Sequence, residues 1–206
     1  GACTGFTDVA TVLVSETAAP NAGTGGTYTV CENSATNSMF DFLGGSPDNT
    51  GVWEPAGPNY DATTQSPGGF TYTVNAAFPC LVNAVANVTV QEQAAPNAGG
   101  DGTLTICINA SSTPLFNSLV GAPVGGAWTK PGGGAHSGTF LPGTDLAGVY
   151  TYTVLAVAPC SGSDFATVTV SYDNTDSDSD GIINCLDGCD FVAGDVGTVG
   201  CNATPG

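Results

Sequence analysis

The chain repeats itself, and that repeat restricts the fold more than any other feature. Ala19-Pro20-Asn21-Ala22-Gly23 recurs as Ala95-Pro96-Asn97-Ala98-Gly99. Thr29-Val30-Cys31 returns as Thr105-Ile106-Cys107, and Gly51-Val52-Trp53 as Gly126-Ala127-Trp128. Thr71-Tyr72-Thr73-Val74 returns unchanged as Thr151-Tyr152-Thr153-Val154, Pro79-Cys80 as Pro159-Cys160, and Val88-Thr89-Val90 as Val168-Thr169-Val170. Landmarks shared in one order mark tandem modules, and 206 residues accommodate two small ones.

Within each copy, segments such as Thr27-Tyr28-Thr29-Val30 and Phe70-Thr71-Tyr72-Thr73-Val74 alternate in polarity and are separated by Gly, Pro and Asn turns. No segment carries a 3.6-residue apolar stripe. The pattern predicts an all-β chain of two tandem immunoglobulin-like β-sandwiches, each of about seven strands, at residues 19–94 and 95–172. Residues 173–206 are expected to form a small irregular tail. Trp53 and Trp128, one per repeat, read with Tyr72 and Tyr152 as core anchors. Exposed indoles would instead offer a stacking surface for sugars.

Eight cysteines placed in step with the repeat point to an oxidising compartment. Read with Cys31 on the second strand and Cys80 beyond the penultimate one, both fall at one pole, which predicts Cys31–Cys80 and Cys107–Cys160 bonds. Each closes a loop of roughly 50 residues, for about 4 kcal/mol in the chain-entropy model.

The net charge is −17, with Lys130 the one basic residue. Nucleic acid and anionic membrane surfaces both require clustered Lys or Arg, so neither is an expected partner. The apolar stretch around Val12-Leu13-Val14 is far short of a membrane span, so no membrane insertion is expected.

The tail carries the clearest chemistry. Asp176-Ser-Asp178-Ser-Asp180-Gly181-Ile182-Ile183-Asn184-Cys185-Leu186-Asp187 sets oxygen side chains at loop positions 1, 3, 5, 9 and 12, with Gly at 6. Hard oxygens wrapped on one ion, a glycine at the sharp turn and a closing carboxylate are what Ca²⁺ requires. Asp176, Asp178, Asp180, Asn184, Asp187 and the Ile182 carbonyl are the expected ligands. Zinc would want Cys and His, and no pair completes a tetrahedral set with Cys185 and Cys189.

The series APNAG, TVC, GxW, GxYTYTV, APC and VTV resembles the immunoglobulin-like repeats of very large secreted surface proteins of Bacteroidota, some associated with gliding and adhesion. The resemblance covers residues 3–172 and implies an extracellular, cell-surface protein whose repeats specify a fold and carry no reaction. The tail loop is similar to both dockerin loops and thrombospondin type 3 repeats, and CLDGC fits the latter better. That likeness implies a Cys189–Cys201 bond, and a partner for Cys185 nearer the N-terminus or in another chain, with Cys3 one candidate.

Cys3 to Pro20 align with Cys80 to Pro96, the final strand of a repeat and its linker, and set residues 1–18 apart. They read as the end of a preceding repeat, as a strand donated to a neighbouring subunit, or as the first strand of a shifted domain phase.

No catalytic residues are expected. His136 lies in a glycine-rich loop and, with Lys130, reads as a solvent-exposed loop residue. Glu32, Glu54 and Asp61, the acidic candidates for glycoside hydrolysis, do not recur in the second copy. A structural or adhesive stalk or fibre subunit is the expected function, with neighbouring repeats or subunits as partners. The alternatives are a carbohydrate- or cell-binding module contacting surface polysaccharide, and a self-assembling filament subunit that uses the N-terminal strand.

Overall fold

A computed structural model describes residues 5, 8–55, 57–188 and 191. The chain divides into two units, Gly1–Gln93 and Ala94–Gly206. Among the described residues both are all-β, with short 3-10 turns and no α-helix.

The first unit contains β1 (Thr27–Cys31), β2 (Asn37–Ser38), β3 (Val52–Glu54), β4 (Asn59–Tyr60), β5 (Gly68–Val74) and β6 (Ala84–Gln93). One sheet runs β1-β6-β5-β3, and β2 pairs with β4 in a second. The first strand lies parallel to the last, from Thr27 opposite Thr89 to Cys31 opposite Gln93, whereas β5 is antiparallel to β6. This is the two-sheet, Greek-key arrangement of an immunoglobulin-like sandwich. Alternation in β5 turns Phe70, Tyr72 and Val74 inward, and β6 adds Ala86, Val88 and Val90.

The second unit contains β7 (Gly102–Ile106), β8 (Thr113–Pro114), β9 (Ala127–Thr129), β10 (Ala135–His136), β11 (Thr139–Phe140), β12 (Gly148–Leu155) and β13 (Ser163–Tyr172). Its larger sheet is ordered β10-β9-β12-β13-β7, with β7 again parallel to the final strand, and β8 pairs with β11.

Packing explains the repeated motifs. In both copies of Gly-x-Trp the glycine amide donates to the hydroxyl of the core tyrosine, Gly51 to Tyr72 at 2.9 Å and Gly126 to Tyr152 at 2.7 Å. A Cβ at either glycine would sit 2.4 or 2.5 Å from that tyrosine's ring, so only glycine fits. The Trp two residues on packs against the same ring, at centroid distances of 4.9 and 5.1 Å. The hydroxyls then donate to Asp48 O and Pro123 O. In Ala-Pro-Asn-Ala-Gly the Asn carbonyl oxygen accepts from the Gly amide two residues on, at Asn21 and Asn97, and Gly23 and Gly99 hold φ of 76° and 80°.

The copies differ at one core pair. Tyr60 donates to Glu92 in the first unit, and the matching positions of the second hold Phe140 and Tyr172, whose rings pack at 6.2 Å with a tilt of 55°. Burial first, and then the Glu92 carboxylate, pushes the Tyr60 hydroxyl well above its usual pKa.

The expected cysteine pairing is corrected by this topology. Cys80 carries a free thiol, and Cys107 is bonded to Cys185, so neither Cys31–Cys80 nor Cys107–Cys160 forms. Cys31 ends a strand parallel to β6, at the end where β6 finishes. Cys80 lies in the turn that leads into β6. Ten residues at about 3.3 Å each separate those ends by roughly 30 Å, several times the reach of a cystine. The error was to read β1 as the second strand of the sandwich, whereas it is the edge strand beside the last. Cys31 and Cys160 are each disulfide-bonded. Cys189 and Cys201 lie outside the described residues.

Of residues 1–18, read from the sequence as the end of a preceding repeat, a donated strand or the first strand of a shifted phase, the described residues 5 and 8–18 form no strand here.

Candidate metal centre

The final strand of the second unit delivers the chain to the acidic loop. The Asp173 amide donates to Ile106 O, carrying the β7–β13 ladder one residue past Tyr172. The Asp173 carboxylate then accepts from the hydroxyl and amide of Thr175, which hold it below its ordinary pKa. Thr175 O in turn accepts from the Asn184 amide, closing the neck of the loop. From the other side, the Cys107–Cys185 bond, with Cα atoms 5.7 Å apart, fastens the loop to the end of β7.

Inside that frame the aspartates bend the backbone around themselves. Asp176 Oδ1 accepts from the Ser179 amide and Oδ2 from the Gly181 amide. Asp180 Oδ1 accepts from the Ile182 amide and Asn184 Oδ1 from the Ser177 amide, both at 2.8 Å. Ser179 and Gly181 adopt φ of 62° and 91° at the sharpest bends. The Asp187 amide donates to Ile183 O and Asn184 O in a closing turn.

Carboxylate oxygens of Asp176, Asp178 and Asp180 come within 4.8 Å of one another. Asp178 Oδ2 is buried and has no hydrogen-bond partner. Burial raises the pKa of Asp178 most, and the charges of Asp180, Asp187 and Asp176 push it further. The side chains from positions 1, 3, 5 and 12 therefore share one electrostatic site, whereas the position 9 Asn oxygen is engaged with the backbone. Lys130, the chain's one Lys or Arg, acts on Asp145 instead.

The other singled-out residues lie away from this loop. His136 is half-buried with its side chain only 8% exposed, which corrects its reading as a loop residue in solvent. The glycine run makes the β9–β10 hairpin that sets His136 opposite Trp128, against Tyr150 and 3.3 Å from Asp145. Asp145 accepts from the Leu141 amide, which lowers its pKa, and His136 lowers it further. A groove of about 220 Å³ lies beside it, lined by Lys130, Pro131, Thr144, Asp145, Leu146 and Tyr150. Asp61 accepts from the Thr63 hydroxyl and amide, and its pKa is lowered, opposite to what a general acid needs. Trp53 and Trp128 are 7% and 8% exposed.

Sequence reasoning missed the partnership of Cys107 with Cys185. The partner of Cys185 does lie nearer the N-terminus, but it is Cys107 and not Cys3, because β7 ends beside the strand that leads into the loop.

No protein-family model matches the chain, and no curated protein matches it. Among solved structures it is similar to one described as Sidekick-1 immunoglobulin domains 1-5, at 12% identity and a TM-score of 0.38, over 76% of this chain and 40% of that one. A second, Sidekick-1 immunoglobulin domains 1-4, crystal form 1, aligns at 11% identity and a TM-score of 0.33, over 72% of this chain and 47% of that one. The chain thus spans less than half the length of these structures.

Proposed function

We propose that the chain belongs to an extracellular repeat protein of structural or adhesive character, in which the sandwiches are spacers and the Asp176–Asp187 loop holds one Ca²⁺ ion. The observation that carries the calcium reading is the convergence of the Asp176, Asp178 and Asp180 carboxylates around a buried, unpartnered Asp178 Oδ2. Four like charges share a loop with no basic side chain among them, an arrangement that repels itself until a cation enters. Asp176, Asp178, Asp180 and Asp187 supply charged oxygens, with the Ile182 carbonyl and Asn184, the latter through water, completing the shell. The ion then stiffens the joint between the second sandwich and the tail.

The disulfide bond favours an oxidising, extracellular setting, in keeping with the cell-surface proteins the repeats resemble. Burial of both indoles favours a spacer over a polysaccharide-binding module, since it removes the stacking platforms a glycan would use.

Calcium titration of the chelator-treated chain by calorimetry tests the reading. One site is expected, weakened at least tenfold in Asp178→Asn and in Asp180→Asn while both sandwiches stay folded. Absence of heat in the wild-type chain, or equal binding by the variants, overturns it.

A second reading, a self-assembling filament subunit, is favoured by Val12, Leu13 and Val14, which are 81%, 93% and 79% exposed in a segment whose sequence matches a final strand. Electron microscopy of the concentrated chain decides it: filaments lost in Val12→Asp support strand donation, and a monodisperse particle refutes it.

A further inference from the structure

Each sandwich carries two cysteines at opposite ends. The first-strand cysteine, Cys31 or Cys107, lies at the outlet end, where the final strand finishes. The turn cysteine, Cys80 or Cys160, lies at the inlet end, where the final strand begins and the lead-in chain arrives. The second repeat shows both in use. Cys107 reaches past its own repeat to Cys185 in the module that follows. Cys160 is disulfide-bonded, and because Cys107 is taken, its partner is a cysteine from outside its own repeat.

Cys80 occupies the same position as Cys160, in the same surroundings. Cys160 Sγ lies 3.5 Å from Ala94 O, and Cys80 Sγ lies 3.9 Å from Ala18 O, the matching residue of the lead-in segment, and 3.8 Å from Thr17 O. Residues 8–17 match β6 position for position, with Ala10, Val12 and Val14 where β6 buries Ala86, Val88 and Val90. Thr17 matches Gln93, and Gln93 is the residue that stands opposite the first-strand cysteine, Cys31, in the parallel ladder. Wherever residues 8–17 serve as the final strand of a sandwich of this type, that sandwich's first-strand cysteine stands opposite Thr17, beside the Cys80 thiol.

We propose that Cys80 is the inlet half of an inter-repeat cystine, whose outlet half is the first-strand cysteine of a repeat of the same type completed by residues 8–17. The bond forms by thiol–disulfide exchange. Each thiol gives up its proton, the two sulfurs join, and the two electrons and two protons pass to a disulfide-containing oxidant of the compartment, which leaves as two thiols. The proposal rests on the repeat-array half of the functional reading and is independent of calcium.

The test is peptide mapping of the protein from its native source, alkylated before lysis and digested without reduction. The expected result is loss of Cys80 labelling, with its peptide joined to one ending in a Thr-x-Thr-Val-Cys or Thr-x-Thr-Ile-Cys strand and released by reductant. On a denaturing gel, an unchanged mass on reduction assigns the partner to the same polypeptide, and a smaller mass assigns it to a second chain. Either supports the bond. Alkylated Cys80 beside an intact Cys107–Cys185 bond overturns the proposal alone. Alkylation of Cys107 and Cys185 as well overturns the extracellular reading with it.

Discussion

Replacing Cys107 and Cys185 together by Ser should destabilise the second sandwich and spare the first. The bond joins residues 78 positions apart and so encloses nearly the whole second repeat. The chain-entropy relation gives about 15 cal/mol/K for a loop of that size, or roughly 4.5 kcal/mol at 25 °C. A domain of about 100 residues loses about 4–8 °C per kcal/mol, so the midpoint should fall by on the order of 20 °C. Each unit carries one buried tryptophan in contact with its core tyrosine, so Trp53→Phe and Trp128→Phe backgrounds isolate the two signals. Thermal unfolding followed by Trp128 fluorescence should shift down, while the Trp53 transition stays within about 2 °C. A Trp128 midpoint displaced by less than about 5 °C, or two transitions that move together, would refute the reasoning.

Tyr152→Phe strips the Gly126 amide and Pro123 carbonyl of their partner at once and should cost about 1–3 kcal/mol by denaturant titration. Tyr150→Phe removes only the bond to Leu146 O, and the first unit already holds Phe70 at that position, so it should cost less; the reverse order would show the Gly-x-Trp lock is misread. Tyr60→Phe should cost about 1 kcal/mol by leaving the Glu92 carboxylate without its donor. Adding Glu92→Tyr, which recreates the Phe140 and Tyr172 pair, should recover most of it in a double-mutant cycle. The pKa of Asp178 is raised above the ordinary 3.8, so the folded loop holds that proton more tightly than the unfolded chain does. The calcium-free loop should therefore lose protease protection as pH rises through the raised value, and added calcium, which replaces the proton, should restore it. Protection independent of pH and calcium would count against the site.

Features set by local pattern were legible in the sequence. Alternation in Phe70-Thr71-Tyr72-Thr73-Val74 located β5 and its buried face, and the one-per-repeat tryptophans marked the cores. The convergence of the Asp176, Asp178 and Asp180 carboxylates follows from their alternate spacing ahead of the turn at Gly181. The cysteine bonding was hidden because periodicity reveals that Thr27-Tyr28-Thr29-Val30 is a strand but not which strand it lies beside. Parallel pairing with β6 sends Cys31 to the opposite end from Cys80. His136 was misread because three glycines look like a mobile loop, whereas here they close a hairpin that tucks the ring against Tyr150. Residues 8–19 have a strand's sequence, but a β6-type strand is central to its sheet and needs a neighbour on each side to satisfy its backbone.

In either unit, the first and last strands lie side by side and point the same way, over five residue pairs in each. Tension drawn through a repeat from its inlet to its outlet acts along those two strands in opposite senses. The ladder between them is then loaded in shear, with its rungs sharing the force, and cannot be peeled open one rung at a time. Pulled in that way, a module whose sequence looks merely repetitive yields late and all at once.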